Sequence, residues 1–590
     1  MRIPLLVSIL AIAVFGDRAY AQTADLILRG ATVWTASPDQ PRASAIAIAN
    51  GRILAVGSDA DVARHAGPGT RTLELRDRFV APGFIDNHTH FERAGALLTG
   101  ANLLDVADES ALVRRVREAT QRLPEGAWLT GGEWGAYEDW AVSSTGRDTV
   151  PYAEARRPFS PQRSMIDSVT SKHPVLLNRW DRSAYLANAR ALELARATCE
   201  WDGVECENGE MTGRISDAAA ERVRSVIPAK PLEQRLAESR AALRDLASHG
   251  VTTIHDITSA EQLRVFAELH QRNELTVRVY ARPTLDRWDE LAAVGIGHGF
   301  GSEWIRIGGL KGFVDGIMGN SSARFHEPYL TTGVRGSWRD MMLQPPGMLP
   351  LIAGADSTGH WPQVHAIGDE AIDTLLTMYE SVLSSHPGEP FVAVPGTSAR
   401  IRRDRRWRVI HTQVLNDASV AHRMAVLGVI AEVQPYHAID DMRWMEERIG
   451  AARSRWAYAF RTLEQAGVLL SFGSDWPGTN ASWYPAEPIK GIYAAVTRMT
   501  LGGEPDGGWF PGERVSVETA LRAYTLNNAW AAGEEDIKGS IAPGKLADLV
   551  VLDRDPFAVE AAALDDLRVL LTIVEGKIVY RSEDVAASIR

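Results

Sequence analysis

Arg78-Phe79-Val80-Ala81-Pro82-Gly83-Phe84-Ile85-Asp86-Asn87-His88-Thr89-His90 is an apolar run that ends in two histidines one residue apart. In an extended strand, residues i and i+2 point to the same face. His88 and His90 then project together from a strand end, and two imidazoles on one face can hold one divalent metal. A pair of surface histidines in a loop would also read this way, so the motif alone is not specific. Its weight comes from the rest of the chain, which offers more ligand-type residues, each closing an apolar run of its own.

Working outward, apolar runs alternate with helical stretches. Eight candidate strands lie at 79–85, 251–254, 276–280, 304–310, 361–364, 407–410, 428–433 and 468–472. This alternation predicts an α/β fold with a parallel sheet and crossover helices, and eight β/α units predict a (β/α)8 TIM barrel over residues 81–535. In that fold functional residues gather at the C-terminal ends of the strands. Lys311, His365, His411 and Asp475 fall there. Taken singly, each has a plain alternative: a solvated lysine, hydrogen-bonded structural histidines, a turn aspartate before Trp476-Pro477. Together with His88 and His90 they make a histidine-rich, carboxylate-poor set, which favours zinc or a similar transition metal over magnesium or calcium.

The first strand is followed by an excursion over about 97–245, with helical patterns at 111–123 and 231–249 and turn-rich pieces such as Gly131-Gly132-Glu133-Trp134-Gly135. A connection of this length in a compact domain reads as a functional insertion, here a cap over the barrel mouth. Residues 22–80 and 536–590 read as short strands broken by Gly, Asn and Pro, and the two ends are expected to complete one small β-sandwich.

Over the 590 residues, 45% are hydrophobic and 23% charged, with a net charge of −12, and no basic stripe or tail stands out. Nucleic acid is not an expected partner. Arg2, the apolar core 3–15 and Ala19-Tyr20-Ala21 read as a secretory signal over 1–21. The apolar core is too short for the ~20 residues of a membrane span. The mature protein is expected to start near Gln22 and to be periplasmic or secreted. Cys199 and Cys206, close together in a polar loop, can form one local disulfide in such a compartment. A small-molecule substrate is the expected partner, and a homo-oligomer stays open.

The pattern resembles the metal-dependent amidohydrolase superfamily, in the branch that includes N-substituted formamide deformylases. The stretches that carry the likeness are Ala81 to His90, His365-Ala366-Ile367-Gly368-Asp369, Gly473-Ser474-Asp475-Trp476-Pro477, Gly539 to Val550, and Asn208-Gly209-Glu210-Met211-Thr212-Gly213 in the excursion. The resemblance implies that His88 and His90 hold one metal and that His365 and His411 hold a second. It implies that Lys311, carboxylated on its amine, bridges them. Asp475 would touch metal and attacking water, acting first as general base and then as proton donor to the leaving nitrogen. Asp315 and His437 are candidates for contacts to the substrate or to the ligands. Three positions depart from the family pattern. Ile410 stands where a Glu usually precedes the strand-six histidine, Glu370 replaces an Arg after His-Ala-Ile-Gly-Asp, and Asp181-Arg182-Ser183 lacks the histidine of an Asp-Gly-His segment.

The resulting expectation is an exported hydrolase of an amide-type C–N bond in an N-acyl or N-formyl amine, not a peptide bond. The same site could serve a lactone, ester or carbamate, or deaminate a ring. A non-catalytic binding barrel is the reading from a different class, and loss of several ligand positions would have favoured it.

Overall fold

The computed structural model describes residues 22–104, 106, 108–135, 159–180, 182–478 and 484–583. The signal segment 1–21 and Asp181 lie outside them. Two parallel sheets carry the centre of the chain. One has four strands in the order Ile305–Ile307, Arg278–Arg282, Val251–Ile257, Phe84–Thr89. The other has five, in the order Leu310–Phe313, Pro362–Ala366, Arg408–His411, Ile430–Val433, Leu470–Phe472. Two isolated parallel bridges join the sheets: Thr284, just after Arg278–Arg282, with Lys311, and Thr89 with Trp476. The spatial order of the strands follows their order in the sequence, and all their pairings are parallel, as crossover connections allow. The crossovers include Ala260–Gln271, Asp369–Leu383, Ala418–Leu427 and Phe460–Ala466. Ser259 and Asp417 start two of these helices by accepting the N–H of Gln262 and Ser419.

Two runs that read as single strands are divided. The run at 304–310 breaks at Gly308-Gly309, between Ile305–Ile307 and Leu310–Phe313. A Cβ on Gly308 would sit 2.1 Å from the Tyr280 ring, so the chain can pass there only without a side chain. The run at 79–85 serves two sheets. Gly83 still donates its N–H to Asp548 O (2.8 Å), whereas Phe84 donates to Gly250 O (3.0 Å). Phe79–Pro82 consequently belongs to a terminal sheet, and the parallel sheet begins at Phe84.

The two ends of the chain interleave. A six-stranded sheet runs Lys577–Arg581, Val569–Val574, Leu549–Leu552, Phe79–Pro82, Thr32–Trp34, Arg42–Ala43. A four-stranded sheet runs Arg52–Gly57, Ala45–Ala49, Leu26–Arg29, Arg71–Glu74. Leu28, Ile46, Ile48 and Leu73 of the smaller sheet share one apolar cluster with Val33, Val551, Leu571 and Ile573 of the larger. Arg278 of a parallel strand donates Nε and Nη2 to the two oxygens of Asp548, at 2.6 and 3.1 Å, and both residues are buried. That fork fastens the terminal sheets to the centre.

The excursion holds more strand than its sequence suggests. Helix Glu109–Arg122 packs on a five-stranded sheet ordered Val204–Glu207, Glu210–Ile215, Tyr185–Ala187, Val175–Arg179, Leu129–Trp134. The Gly131-Gly132 piece, read as turn, lies inside the last of these strands. Cys199 and Cys206 form a disulfide. Among the described residues no helix is long and apolar enough to cross a membrane.

The shared terminal cluster yields a stability prediction. Leu571 is fully buried between the two terminal sheets. Leu571→Ala should lower unfolding free energy by about 2–5 kcal/mol. Urea unfolding checks it, and an unchanged midpoint would show that the interleaved ends do not unfold with the rest.

Candidate metal centre

Every residue singled out from the sequence reaches one cavity. His88, His90, Lys311, Asp315, His365, His411, His437 and Asp475 all line a space of about 620 Å³. His88 lies in the strand Phe84–Thr89, and His90 precedes helix Phe91–Thr99. Asp475 follows Leu470–Phe472 and takes a positive φ of 59°. Backbone hydrogen bonds clasp these two strand ends: Asp475 N to His88 O at 2.9 Å, and His90 N to Trp476 O at 2.8 Å. Asp86 adds to the clasp, accepting the N–H groups of His88 and Ser474 and the Ser474 hydroxyl. The approach is so close that a Cβ on Gly473 would lie 2.1 Å from Asn87 Oδ1.

Asp475 stands between two histidine groups. Its Oδ1 is 3.0 Å from His90 Nε2 and 3.5 Å from His88 Nε2, and its Oδ2 is 3.6 Å from His437 Nε2. His88, His90 and Asp475 form one set whose ligand-type atoms all lie within 4.8 Å of one another, and His411, His437 and Asp475 form another. The second set contains His437, which the sequence reading places at the substrate. His365 packs edge-on against His411, with ring centroids 4.5 Å apart.

Hydrogen bonds on the far side of each ring fix which nitrogen faces inward. His88 Nδ1–H donates to Glu432 Oε1 (2.8 Å) and His411 Nδ1–H to Gln434 Oε1 (2.7 Å), leaving both Nε2 atoms open. His365 Nε2–H donates to Gly316 O (2.9 Å), leaving Nδ1 open. These tautomers follow from the partners, and they are the arrangement that metal-ligating histidines need. Asp315 is committed to the backbone: it accepts the N–H of Ile367, Gly368 and Arg324 at 3.1, 2.9 and 2.8 Å, which holds the turn after His365.

Burial acts on these groups in opposite senses. It pushes the His88 imidazolium down to about 3, helped by the Lys311 charge, and takes His411 well below its ordinary value. Both rings are therefore neutral at pH 7. Burial also brings the Lys311 ammonium down to about 7, with Arg282 pushing the same way, and Lys311 Nζ has no hydrogen-bond partner. For Asp475 burial opposes ionisation, but the surrounding histidines outweigh it and hold its carboxyl well below the usual range. Neutral imidazoles around an ionised, buried carboxylate make a donor set that fits a divalent transition-metal ion.

Sequence reasoning missed the residues behind the ligands. Glu432, Arg282 and Arg408 are fully buried, and the carboxylate receives both guanidiniums. The available signal was a lone charge within the apolar run 428–433. The departures from the family pattern also find places. Ile410 is the register partner of Glu432 on the next strand. Glu370 pairs with Arg324 and Arg335 at 2.8 and 2.7 Å.

Histidines and an aspartate at the ends of parallel strands, around a cavity of substrate size, define a metal-dependent hydrolase. Residues 71–580 match the family model Amidohydro_3, described as the amidohydrolase family, and the chain belongs to that family. It is 32% identical to the Arabidopsis thaliana protein LONG AFTER FAR-RED 3, over 94% of this chain and 92% of that one. It is 26% identical to an N-substituted formamide deformylase of Arthrobacter pascens, over 95% of this chain and 99% of that one. A solved structure from Pyrococcus furiosus, an uncharacterized metal-dependent hydrolase, matches with a TM-score of 0.69 at 27% identity, covering 90% of this chain and 99% of that one.

The strand end that bears the histidines gives a pH prediction. Asp256 accepts the Thr89 hydroxyl (3.0 Å), the Phe91 N–H (2.8 Å) and the Thr258 hydroxyl (2.8 Å). Burial nevertheless pushes its carboxyl up to about 6 from 3.8. Between those values the folded chain binds more protons at this site than the unfolded chain, so its stabilising contribution is present below about 4 and lost as pH rises through about 6. Relative to Asp256→Asn, the native chain should lose on the order of 2–3 kcal/mol across that window. Denaturant unfolding at several pH values checks this; parallel curves for the two proteins would refute it.

Proposed function

We propose that the chain is an exported hydrolase that cleaves an amide-type C–N bond in a small N-acyl or N-formyl amine. The observation that carries this reading is the placement of Asp475 between the two histidine sets, inside a cavity of about 620 Å³. That volume suits a small organic molecule. The choice of bond draws on the likeness to a formamide deformylase. Export draws on the signal-like 1–21 segment and on the Cys199–Cys206 disulfide, which belongs in an oxidising compartment.

On this reading the two parallel sheets form one (β/α)8 barrel, with 305–313 as a single interrupted strand. The excursion is its cap, and the interleaved ends are a β-sandwich. His88 and His90 would hold one divalent ion, with zinc the best match to the donors. His365 and His411 would hold a second, a carboxylated Lys311 would be shared between the two, and Asp475 faces both. Lys311 suits that role because burial favours its neutral amine. A neutral amine can add CO2 to give a carbamate with release of one proton, which an ammonium cannot do.

When bound, the metal polarises the scissile carbonyl and lowers the pKa of a water toward ~7. The protein supplies the proton traffic. Asp475 takes the proton of the attacking water as that oxygen bonds to the carbonyl carbon. It then gives the proton to the leaving nitrogen as the C–N bond breaks, yielding acid and amine. His437, beside Asp475, would steady the substrate, and Asp315 would hold His365 and its loop in place.

Two measurements test this. Elemental analysis of mature protein expressed with bicarbonate should find about two zinc-like ions per chain; no uptake of zinc or manganese would refute the mechanism. On a panel of amides, formamides, lactones, esters and carbamates, the C–N substrates should turn over fastest. Asp475→Asn should then cut kcat by about 10²–10⁴-fold with metal still bound. Near-normal turnover in that variant would remove Asp475 from the proton path.

A further inference from the structure

The strand Ile430–Val433 carries a carboxylate into the fully buried space beneath the cavity. Glu432 Oε1 accepts from His88 Nδ1 and Arg282 Nη1, each at 2.8 Å. Its Oε2 accepts from Arg408 Nη1 at 2.8 Å and from Arg282 Nη1 at 3.1 Å. The guanidiniums are themselves anchored. Arg282 Nη2 donates to His255 O (2.8 Å) and Arg408 Nη2 to Ala531 O (2.9 Å). The carboxylate therefore cannot rotate without breaking charge-assisted bonds on both oxygens.

We infer that Glu432, clamped by Arg282 and Arg408, is the positioning residue of the metal centre, holding His88 in the Nδ1–H tautomer with Nε2 turned toward Asp475. This rests on the metal reading given under Proposed function. A carboxylate behind a ligating imidazole fixes the ring and strengthens its lone pair, and losing such a partner typically weakens metal binding 10–100-fold. The two guanidiniums explain why the carboxylate stays ionised and immobile in a space without solvent.

The test uses full-length mature protein with Glu432→Asp and Glu432→Gln. The first keeps the charge and draws the oxygen back from His88; the second keeps the shape and removes the charge. Circular dichroism and thermal melting establish that each variant is folded at the assay temperature. Zinc dissociation constants come from chelator competition, and cobalt-loaded protein gives a visible spectrum that reports the geometry at the ion. The expected result is at least tenfold weaker zinc binding in a folded variant, with shifted cobalt bands. Native affinity in either folded variant overturns the inference. So does weaker binding with an unshifted cobalt spectrum, which would assign Glu432 to the fold alone. If the native chain itself takes up neither zinc nor cobalt, the metal reading fails first and this inference falls with it.

Discussion

The meeting of Glu432 with Arg282, Arg408 and His88 is the contact on which the centre of this molecule depends. All four side chains are essentially shielded from water. An isolated charge there would be prohibitive, and a pair of charges gains stability only when nearly every donor and acceptor is matched. Removing one partner from such a set costs about 3–5 kcal/mol, more than most single contacts. The strands that contribute are Arg278–Arg282, Arg408–His411, Ile430–Val433 and Phe84–Thr89, drawn from both parallel sheets. One carboxylate thus ties the two sheets together at the level just below the cavity.

Above that level, the same desolvation produces three different protonation states. Burial keeps the His88 and His411 imidazoles neutral even with the Asp475 carboxylate beside them, and together with the Arg282 guanidinium it brings the Lys311 ammonium down to about 7. Asp475 goes the other way because histidines surround it on several sides. The result is a set of lone pairs and one anion directed into one cavity, which is the chemical requirement for holding a divalent ion. The backbone clasp between His88, His90, Asp475 and Trp476 keeps these groups together, since each strand end is hydrogen-bonded to the other.

The outer parts of the chain are bonded to this centre. Leu549–Leu552, from the C-terminal part, inserts between Phe79–Pro82 and Val569–Val574, so neither end completes its sheet alone. The Arg278–Asp548 fork then links that sheet to a parallel strand whose other end carries Arg282. The terminal sheet is in this way two bonded contacts away from Glu432.

By itself the sequence determined the alternation of strand and helix, the α/β class, and which ligand-type residues would close the strands. Those features are local: a period of two in a strand and a histidine or aspartate at its end can be read without knowing what lies across the sheet. His88, His90, Lys311, His365, His411 and Asp475 were legible for that reason, whereas His437 was offered only by the family resemblance. Only the tertiary structure decided that 79–85 would be shared between two sheets, that the excursion would build a sheet of its own, and that Glu432 would stand behind His88. Each of these depends on a partner far away in the chain, Asp548 for Gly83 and residue 432 for residue 88. Ile410, one of the departures from the family pattern, is the register partner of Glu432 on the neighbouring strand. A sequence shows the loss at 410 and the lone charge at 432, but only strand register, which is a property of the folded sheet, brings the two to one place.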